Sequence, residues 1–198
     1  MNKRVVAFCA SLLPLMISSG MVYSVLPIYI SDELKASKIV VGMLFTVGAL
    51  TGVFTSILIG KISDRFGRKP LIILSQIAFA IVMLVYSIIN HYIYAFPIHV
   101  LEGFAWAAIG TVAPAYIADL SRKDERGESM GIYNTVWSLG WVIGPILGGF
   151  LAELFGFRLM LRFAFLMIIV GLISTVFLSF KANDSDAIKL NIRKPPQL

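Results

Sequence analysis

The chain alternates long apolar runs with short polar segments, and this pattern predicts membrane-spanning helices. A helix needs roughly 20 apolar residues to cross a hydrocarbon core of about 30 Å. Six runs in residues 1–180 reach that length: 5–30, 39–59, 70–90, 93–118, 129–151 and 159–180. Residues 181–198 form the longest polar segment, which is too short for a soluble domain and predicts a cytoplasmic tail or the start of a linker.

The first apolar run follows Lys3 and Arg4, as the apolar part of a signal peptide would. Signal peptides carry an apolar stretch of about 7–15 residues that ends at a cleavage site of small residues. The run at residues 5–30 is longer than that, and no clean site of this kind ends it. We therefore expect a retained first helix.

Composition supports a membrane protein over a soluble one. The chain is 58% hydrophobic and 14% charged, with a mean hydropathy of +0.86, whereas soluble domains are about half apolar and a quarter charged. The net charge of +6 comes from basic residues in separate short turns, so we expect the lipid bilayer as a partner and no nucleic acid. The single cysteine, Cys9, excludes an intramolecular disulfide and a cysteine-based zinc site.

Known catalytic patterns are missing from the sequence. It contains no HExxH, GxSxG, CxxC or P-loop pattern. We therefore expect a protein that is not an enzyme and that needs no cofactor or metal.

The distribution of basic residues predicts the orientation in the membrane, because cytoplasmic loops are enriched in lysine and arginine. With the N-terminus inside, the inner segments hold 13 of the lysines and arginines and the outer segments hold 4. This split predicts that both termini lie in the cytoplasm. We expect a multi-pass protein of the plasma membrane. The split also places the highly charged segment GKISDRFGRKP, residues 60–70, in an inner turn.

Two ionisable residues lie within the fourth predicted helix. His99 and Glu102 are three residues apart, so they share a helical face with Gly103 and Trp106. Ionisable groups at this depth are costly and often mark a transport pathway. The alternative is a structural pair, with a protonated Glu102 bonded to a hydroxyl of the first helix: Ser18, Ser19 or Tyr23.

Small residues recur every fourth position in the second and fifth helices. This spacing lets two helix backbones approach closely in a membrane. The faces either pack within the six-helix unit or contact helices that the chain does not contain. They consist of Gly48, Gly52, Ser56 and Gly60, and of Gly140, Gly144 and Gly148. Pro145 beside Gly144 predicts a kink.

Two of these segments resemble signatures of the major facilitator superfamily. GKISDRFGRKPLI resembles motif A, G-x-x-x-D-R-x-G-R-[KR], and GIYNTVWSLGWVIGPILGG resembles motif C, G-x8-G-x3-G-P-x2-G. The segment IADLSRKDERGESMG is similar to the family's turn between helices 4 and 5. The matching positions are Gly60, Asp64, Arg65, Gly67, Arg68 and Lys69 for motif A, and Gly131, Gly140, Gly144, Pro145 and Gly148 for motif C.

The resemblance implies an all-α membrane protein that is the N-terminal half of a twelve-helix fold. Each half of that fold contains a 3+3 inverted repeat, and DRFGR at 64–68 and ELFGFR at 153–158 are a faint trace of it. The expected partner is a second six-helix half. The chain would be a fragment of a longer permease, one chain of a split transporter or a subunit of a parallel homodimer. The family also favours contact of the glycine faces with the other half.

For motif A the resemblance implies a conformational latch. Asp64 would face a helix N-terminus of the second half, and Arg68 would pair with Asp119 at the end of helix 4. These contacts would favour the outward-facing state. The alternative is that the charged turn only fixes the topology.

The family's motif B, R-x-x-Q-G in helix 4, is altered here, because His99 and Glu102 stand at its arginine and glutamine positions. A His–Glu pair could still carry a proton, so both are candidates for proton coupling. The function implied is proton-coupled efflux of small organic compounds. The alternatives are an uptake or exchange permease for sugars or metabolites, and a non-transporting membrane protein. Candidate substrate-cavity residues are Ser18, Tyr23, Trp106, Asn134, Trp137 and Ser138.

Overall fold

The computed structural model describes the backbone of residues 2–192 and the side chains of residues 2–178. The described part is helical, without strands, and each of its six long helices contains an apolar stretch long enough to span a membrane. The expected all-α architecture with six spanning helices is confirmed. The helices are α1 Lys3–Asp32, α2 Lys38–Phe66, α3 Arg68–Tyr86, α4 Ala95–Leu120, α5 Arg126–Phe155 and α6 Phe157–Ile192; short 3-10 turns at Tyr92–Tyr94 and Lys123–Glu125 precede α4 and α5.

The helix ends differ from those of the apolar runs. Helices α2 and α5 continue past their apolar runs to Phe66 and Phe155. Backbone hydrogen bonds within a helix do not depend on apolar side chains, so the helix continues where the residues become polar. Helix α3 ends at Tyr86, since the apolar run that reaches residue 90 includes a turn. The backbone of α6 extends through Ile192, so the predicted tail begins as helix, and residues 193–198 lie outside the described part.

Glycines close the junctions between α2 and α3 and between α5 and α6. Gly67 has φ 95° and ψ 157°, and Gly156 has φ 79° and ψ 159°. This region of backbone conformation is essentially restricted to glycine. The two glycines therefore let each helix stop and the next begin after a single residue.

The helix contacts follow a two-fold pattern. Helix α1 packs along α5 and also against α6, while α4 packs along α2 and also against α3. Exchanging α1 with α4, α2 with α5 and α3 with α6 converts one set of contacts into the other. Helix contacts related by such an exchange are expected for a 3+3 inverted repeat.

Helices α1 and α4 supply much of the buried core, whereas α2 and α5 turn long apolar faces outward. Apolar exposure is inexpensive in a bilayer, because lipid tails are as apolar as leucine. The exposed apolar side chains are Ile39, Met43, Leu50, Val53, Phe54, Ile57, Leu58 and Phe66 on α2, and Leu139, Trp141, Val142, Ile143, Ile146, Leu147, Phe150, Leu154 and Phe155 on α5.

Candidate functional site

A cavity of about 470 Å³ lies between α1, α2 and α4. Tyr23 of α1 and Phe45 of α2 line it together with His99, Glu102 and Trp106 of α4. The cavity thus combines three aromatic rings with a carboxyl group and an imidazole. Such a mixture of apolar walls and a few converging polar groups is typical of sites for small molecules.

Glu102 is at the centre of a buried hydrogen-bond chain. The hydroxyl of Tyr23 donates to Oε1 of Glu102, and the indole N–H of Trp106 donates to the oxygen of Tyr23. The carboxyl group is only 3% exposed, so these donors replace the water that it would otherwise bind. Of the three hydroxyls considered from the sequence as partners for Glu102, the structure selects Tyr23.

His99 approaches the same carboxyl group from one turn earlier on α4. Its Nε2 lies 3.9 Å from Oε2 of Glu102, and its Nδ1 lies 2.5 Å from the hydroxyl of Tyr86. The ring of Phe45 meets the imidazole edge-on, with the centroids 5.3 Å apart. The predicted His–Glu pair is thus a geometric pair, extended by Tyr86, which the sequence did not single out.

The other candidate cavity residues lie elsewhere. Ser18 is buried outside the cavity lining, and its hydroxyl donates to the carbonyl of Pro14 at 2.7 Å, with the carbonyl of Ala164 on α6 at 3.3 Å. Trp137 contacts the ring of Trp106 with centroids 5.6 Å apart. Asn134 and Ser138 are exposed on α5 outside the cavity lining.

At one end of the bundle, which we call the motif A end, Arg68 joins three helices. Its guanidinium lies 2.6 Å from Oδ1 of Asp64 on α2 and donates to Oδ2 of Asp119 on α4 at 3.2 Å. It also donates to the hydroxyl of Ser63 at 2.5 Å. The contact between Arg68 and Asp119 that the resemblance implied is therefore present.

The remaining motif A residues have different environments. The guanidinium of Arg65 lies over the ring of Phe66, 5.5 Å from its centroid. A methyl group added at Gly60 would meet only the methyl of Thr111, at an ordinary 3.7 Å. Gly60 is therefore not required by close packing in this six-helix unit. Lys69 is the second residue of α3, directly after Arg68.

The opposite end of the bundle carries a matching cluster around Arg158. Its guanidinium donates to Oε2 of Glu33 at 3.3 Å, to the carbonyl of Ile89 at 2.9 Å and to Oδ1 of Asn90 at 2.8 Å. Arg158 follows the glycine between α5 and α6, and Glu33 follows α1. Under the exchange of the two repeats, this pair corresponds to Arg68 and Asp119.

Except at Gly60, the glycine faces pack inside the six-helix unit, which corrects the expectation of contact with missing helices. Methyl groups at Gly140 and Gly144 would lie 2.5 and 2.6 Å from backbone atoms of Met16 and Ile17 on α1. One at Gly48 would lie 3.3 Å from the carbonyl of His99 on α4. Small residues recur on these faces because backbones of the same chain cross there. Gly131 of motif C has open space around it.

A buried carboxyl group within a bundle of six apolar helices with inverted repeats is typical of polytopic membrane proteins of the transporter type. The family model of the Major Facilitator Superfamily matches residues 8–196. The chain belongs to this superfamily.

Similar proteins are about twice as long as the chain. An uncharacterized MFS-type transporter of Methanocaldococcus jannaschii is 28% identical over 98% of the chain and 50% of its own length. Multidrug resistance protein 2 of Bacillus subtilis is 31% identical over 80% of the chain and 39% of its own length. The solved structure of the human organic anion transporter MFSD10 shares the fold, with a TM-score of 0.72 and 20% identity over 88% of the chain and 46% of that protein.

Proposed function

We propose that the chain forms one six-helix half of a proton-coupled transporter that exports small organic compounds. The observation that carries this proposal is Glu102, a buried carboxyl group within a spanning helix that lines a cavity of about 470 Å³. Buried ionisable groups in spanning helices are costly and commonly serve ion or substrate pathways. The similarity to a multidrug resistance protein supports efflux as the direction.

The proposed assembly places the motif A end in the cytoplasm and pairs the chain with a second six-helix unit. The chain spans about half the length of the relatives that it matches, and the outward faces of α2 and α5 are broadly apolar. The partner is then the second half of the same polypeptide, a separate chain or a second copy. In this assembly Arg68 and Asp119 hold the turn so that Asp64 faces the partner as part of the latch.

The first experiment identifies the partner and then tests the carboxyl group. The DNA after the codon for Leu198 is sequenced for a second six-helix frame, which is then co-expressed with the chain. Flux driven by a pH gradient is measured in proteoliposomes. Glu102→Gln removes the exchangeable proton but keeps the size of the side chain, so we expect at least a tenfold loss of gradient-driven flux.

Glu153→Gln is the matched control, since Glu153 is an exposed acid near the end of α5, and we expect nearly unchanged flux. Equal flux in wild type and Glu102→Gln would reject proton coupling through this residue. Counterflow of sugars or metabolites without a response to the pH gradient would instead identify an exchange permease.

Pro145 allows a cleaner test of motif C than Gly144. Replacing Gly144 by leucine would disrupt packing against α1, because a methyl group there already lies 2.6 Å from the carbonyl oxygen of Ile17. Pro145→Ala restores a backbone donor and leaves this contact intact. If motif C supports efflux through a kink, this variant lowers flux while the chain stays folded; unchanged flux would remove that role.

A second candidate function is a non-transporting subunit that assembles with another permease. The outward apolar faces of α2 and α5 can contact lipid or a partner in both functions, so they do not distinguish them. The two functions differ at Glu102. A regulatory subunit predicts that Glu102→Gln changes transport in no assembly, whereas the proposed transporter loses pH-driven flux.

A further inference from the structure

Tyr86 is not part of the cavity lining, but its side chain contacts His99, which is. It is the last residue of α3 and its side chain is fully buried. Its hydroxyl lies 2.5 Å from Nδ1 of His99, which lines the cavity. The hydroxyl of Tyr29 donates to the backbone carbonyl of Tyr86 at 2.6 Å, so the end of α3 is held against α1.

Hydrogen-bond accounting gives the direction of the bond between Tyr86 and His99. A phenol has one proton to donate, and buried donors almost always find an acceptor. Among the residues that the structure describes, Nδ1 of His99 is the one hydrogen-bonding partner of the Tyr86 hydroxyl. The hydroxyl therefore donates, Nδ1 accepts, and a neutral imidazole carries its proton on Nε2.

The protonated nitrogen is then directed at Glu102. Nε2 of His99 is buried without a hydrogen-bond partner in the described part of the chain, and it lies 3.9 Å from Oε2 of Glu102. While Glu102 is ionised, the opposite tautomer would place an unprotonated nitrogen against a carboxylate oxygen, which brings two acceptors together. In that charge state both ends of the imidazole favour the proton on Nε2.

We propose that Tyr86 is a positioning residue that fixes the tautomer of His99 and aims its N–H at Glu102. In the competing arrangement the proton is on Nδ1. The carbonyl of Ala95, four residues earlier on α4, is near the imidazole and would be the acceptor for it. That arrangement leaves the buried hydroxyl of Tyr86 without an acceptor.

The consequence for the site is that two donor chains converge on one carboxyl group: one is hydrogen-bonded to it, and the other stops 3.9 Å away. Trp106 donates to Tyr23 and Tyr23 to Glu102 from one side, while Tyr86 donates to His99 and His99 points to Glu102 from the other. The lining contributed by α2 contains no ionisable residue. Glu102 can take up a proton while Tyr23, Trp106, Tyr86 and His99 all remain hydrogen-bond donors. The relevance of this to transport rests on the proton-coupled function proposed above.

The tautomer is measured directly by nitrogen NMR on the 198-residue chain in lipid nanodiscs, labelled with ¹⁵N-histidine. The sequence contains two histidines, so His91→Asn assigns both signals. We expect wild-type His99 to be neutral and protonated at Nε2. In Tyr86→Phe the donor is lost, and we expect most molecules to move the proton to Nδ1, where the carbonyl of Ala95 accepts it.

Tyr29→Phe is the matched control, because it removes a buried hydroxyl from the same cluster but leaves the donor to His99 in place. It should retain the wild-type tautomer even if it lowers stability. Protonation at Nδ1 in wild type, or the same tautomer in wild type and Tyr86→Phe, would overturn the proposal. The measurement needs no transport, so failure of Glu102→Gln to affect flux would reject the transport function separately.

Discussion

At the scale of single residues, the polar side chains beside the cavity are organised around one carboxyl group. Glu102 accepts a hydrogen bond from Tyr23, which in turn accepts one from Trp106. Removing one of these side-chain groups leaves a buried polar atom without its hydrogen-bond partner. Such an atom lowers the free energy of unfolding by about 1–3 kcal/mol. The stability of the chain therefore reports on the network independently of transport.

Tyr23→Phe tests this accounting. The variant keeps the ring but leaves Oε1 of Glu102 and the indole N–H of Trp106 without their partner, so we expect the free energy of unfolding to fall by about 1–3 kcal/mol. The measurement is reversible unfolding in detergent micelles. Tyr133→Phe is the control, since Tyr133 is buried on α5 and its ring contacts Trp137, and an equal loss in both variants would contradict the prediction.

At the scale of helices, close backbone approach decides how the two repeats pack. Helix α5 lies against α1 through Gly140, Gly144 and Gly148, and α2 lies against α4 through Gly48 and Gly103. In lipid these contacts rest on van der Waals packing, because apolar burial provides little driving force between helices. A single added methyl group at these positions therefore destabilises the packing of the two helices.

Gly148→Ala and Gly149→Ala form a matched pair on α5. A methyl group at Gly148 would collide with the backbone of Met21, whereas one at Gly149 would have open space around it. Overpacking costs about 1–3 kcal/mol or more, so we expect a lower unfolding temperature only for Gly148→Ala. Equal unfolding temperatures for the two variants would show that α1 and α5 are less closely packed than described.

The junction between α5 and α6 makes a different prediction, because its glycine is needed for conformation and not for space. Nothing lies within 4 Å of a methyl group added at Gly156, yet its φ is 79°. We expect Gly156→Ala to destabilise the chain by about 1–3 kcal/mol through backbone strain. Gly127→Ala, a helical site with open space, should change stability little in the same unfolding measurement, and no difference between them would argue against strain.

At the scale of the whole molecule, an arginine cluster ties helices together at each end of the bundle. Arg68 connects α2, α3 and α4 at the motif A end, and Arg158 connects α6 with the end of α1 and the segment between α3 and α4. The inverted repeat accounts for the correspondence. Both clusters lie within the six-helix unit, so they hold its ends together without a second half.

Arg158→Gln is expected to loosen one end of the bundle selectively. The lost contacts comprise a half-exposed ion pair, worth up to about 1 kcal/mol, and charged hydrogen bonds to Ile89 and Asn90, worth about 1.5–3 kcal/mol each. We expect faster amide hydrogen exchange at residues 29–36 and 86–92, with unchanged exchange around Arg68. Arg162→Gln removes the same charge from an exposed position on α6; faster exchange at both ends in Arg158→Gln, or equal effects of the two variants, would contradict a local role.

The sequence by itself determined the number of spanning helices and the family. Length and hydropathy decide which segments cross a bilayer, because the hydrocarbon core cannot satisfy an exposed backbone. Motifs A and C are local patterns whose glycines and charges are readable without coordinates. The same local reading identified His99 and Glu102, since their spacing places both on one face of α4.

Only the tertiary structure decided which residues meet across helices. The spacing of Gly144 and Gly148 shows that some backbone approaches closely, but it does not say which one, and the structure places α1 there. Likewise, Tyr23 and Tyr86 reach the site from 79 and 13 residues away from their partners Glu102 and His99. Such contacts depend on how helices are rotated and shifted against one another, which the periodicity of a single helix does not contain.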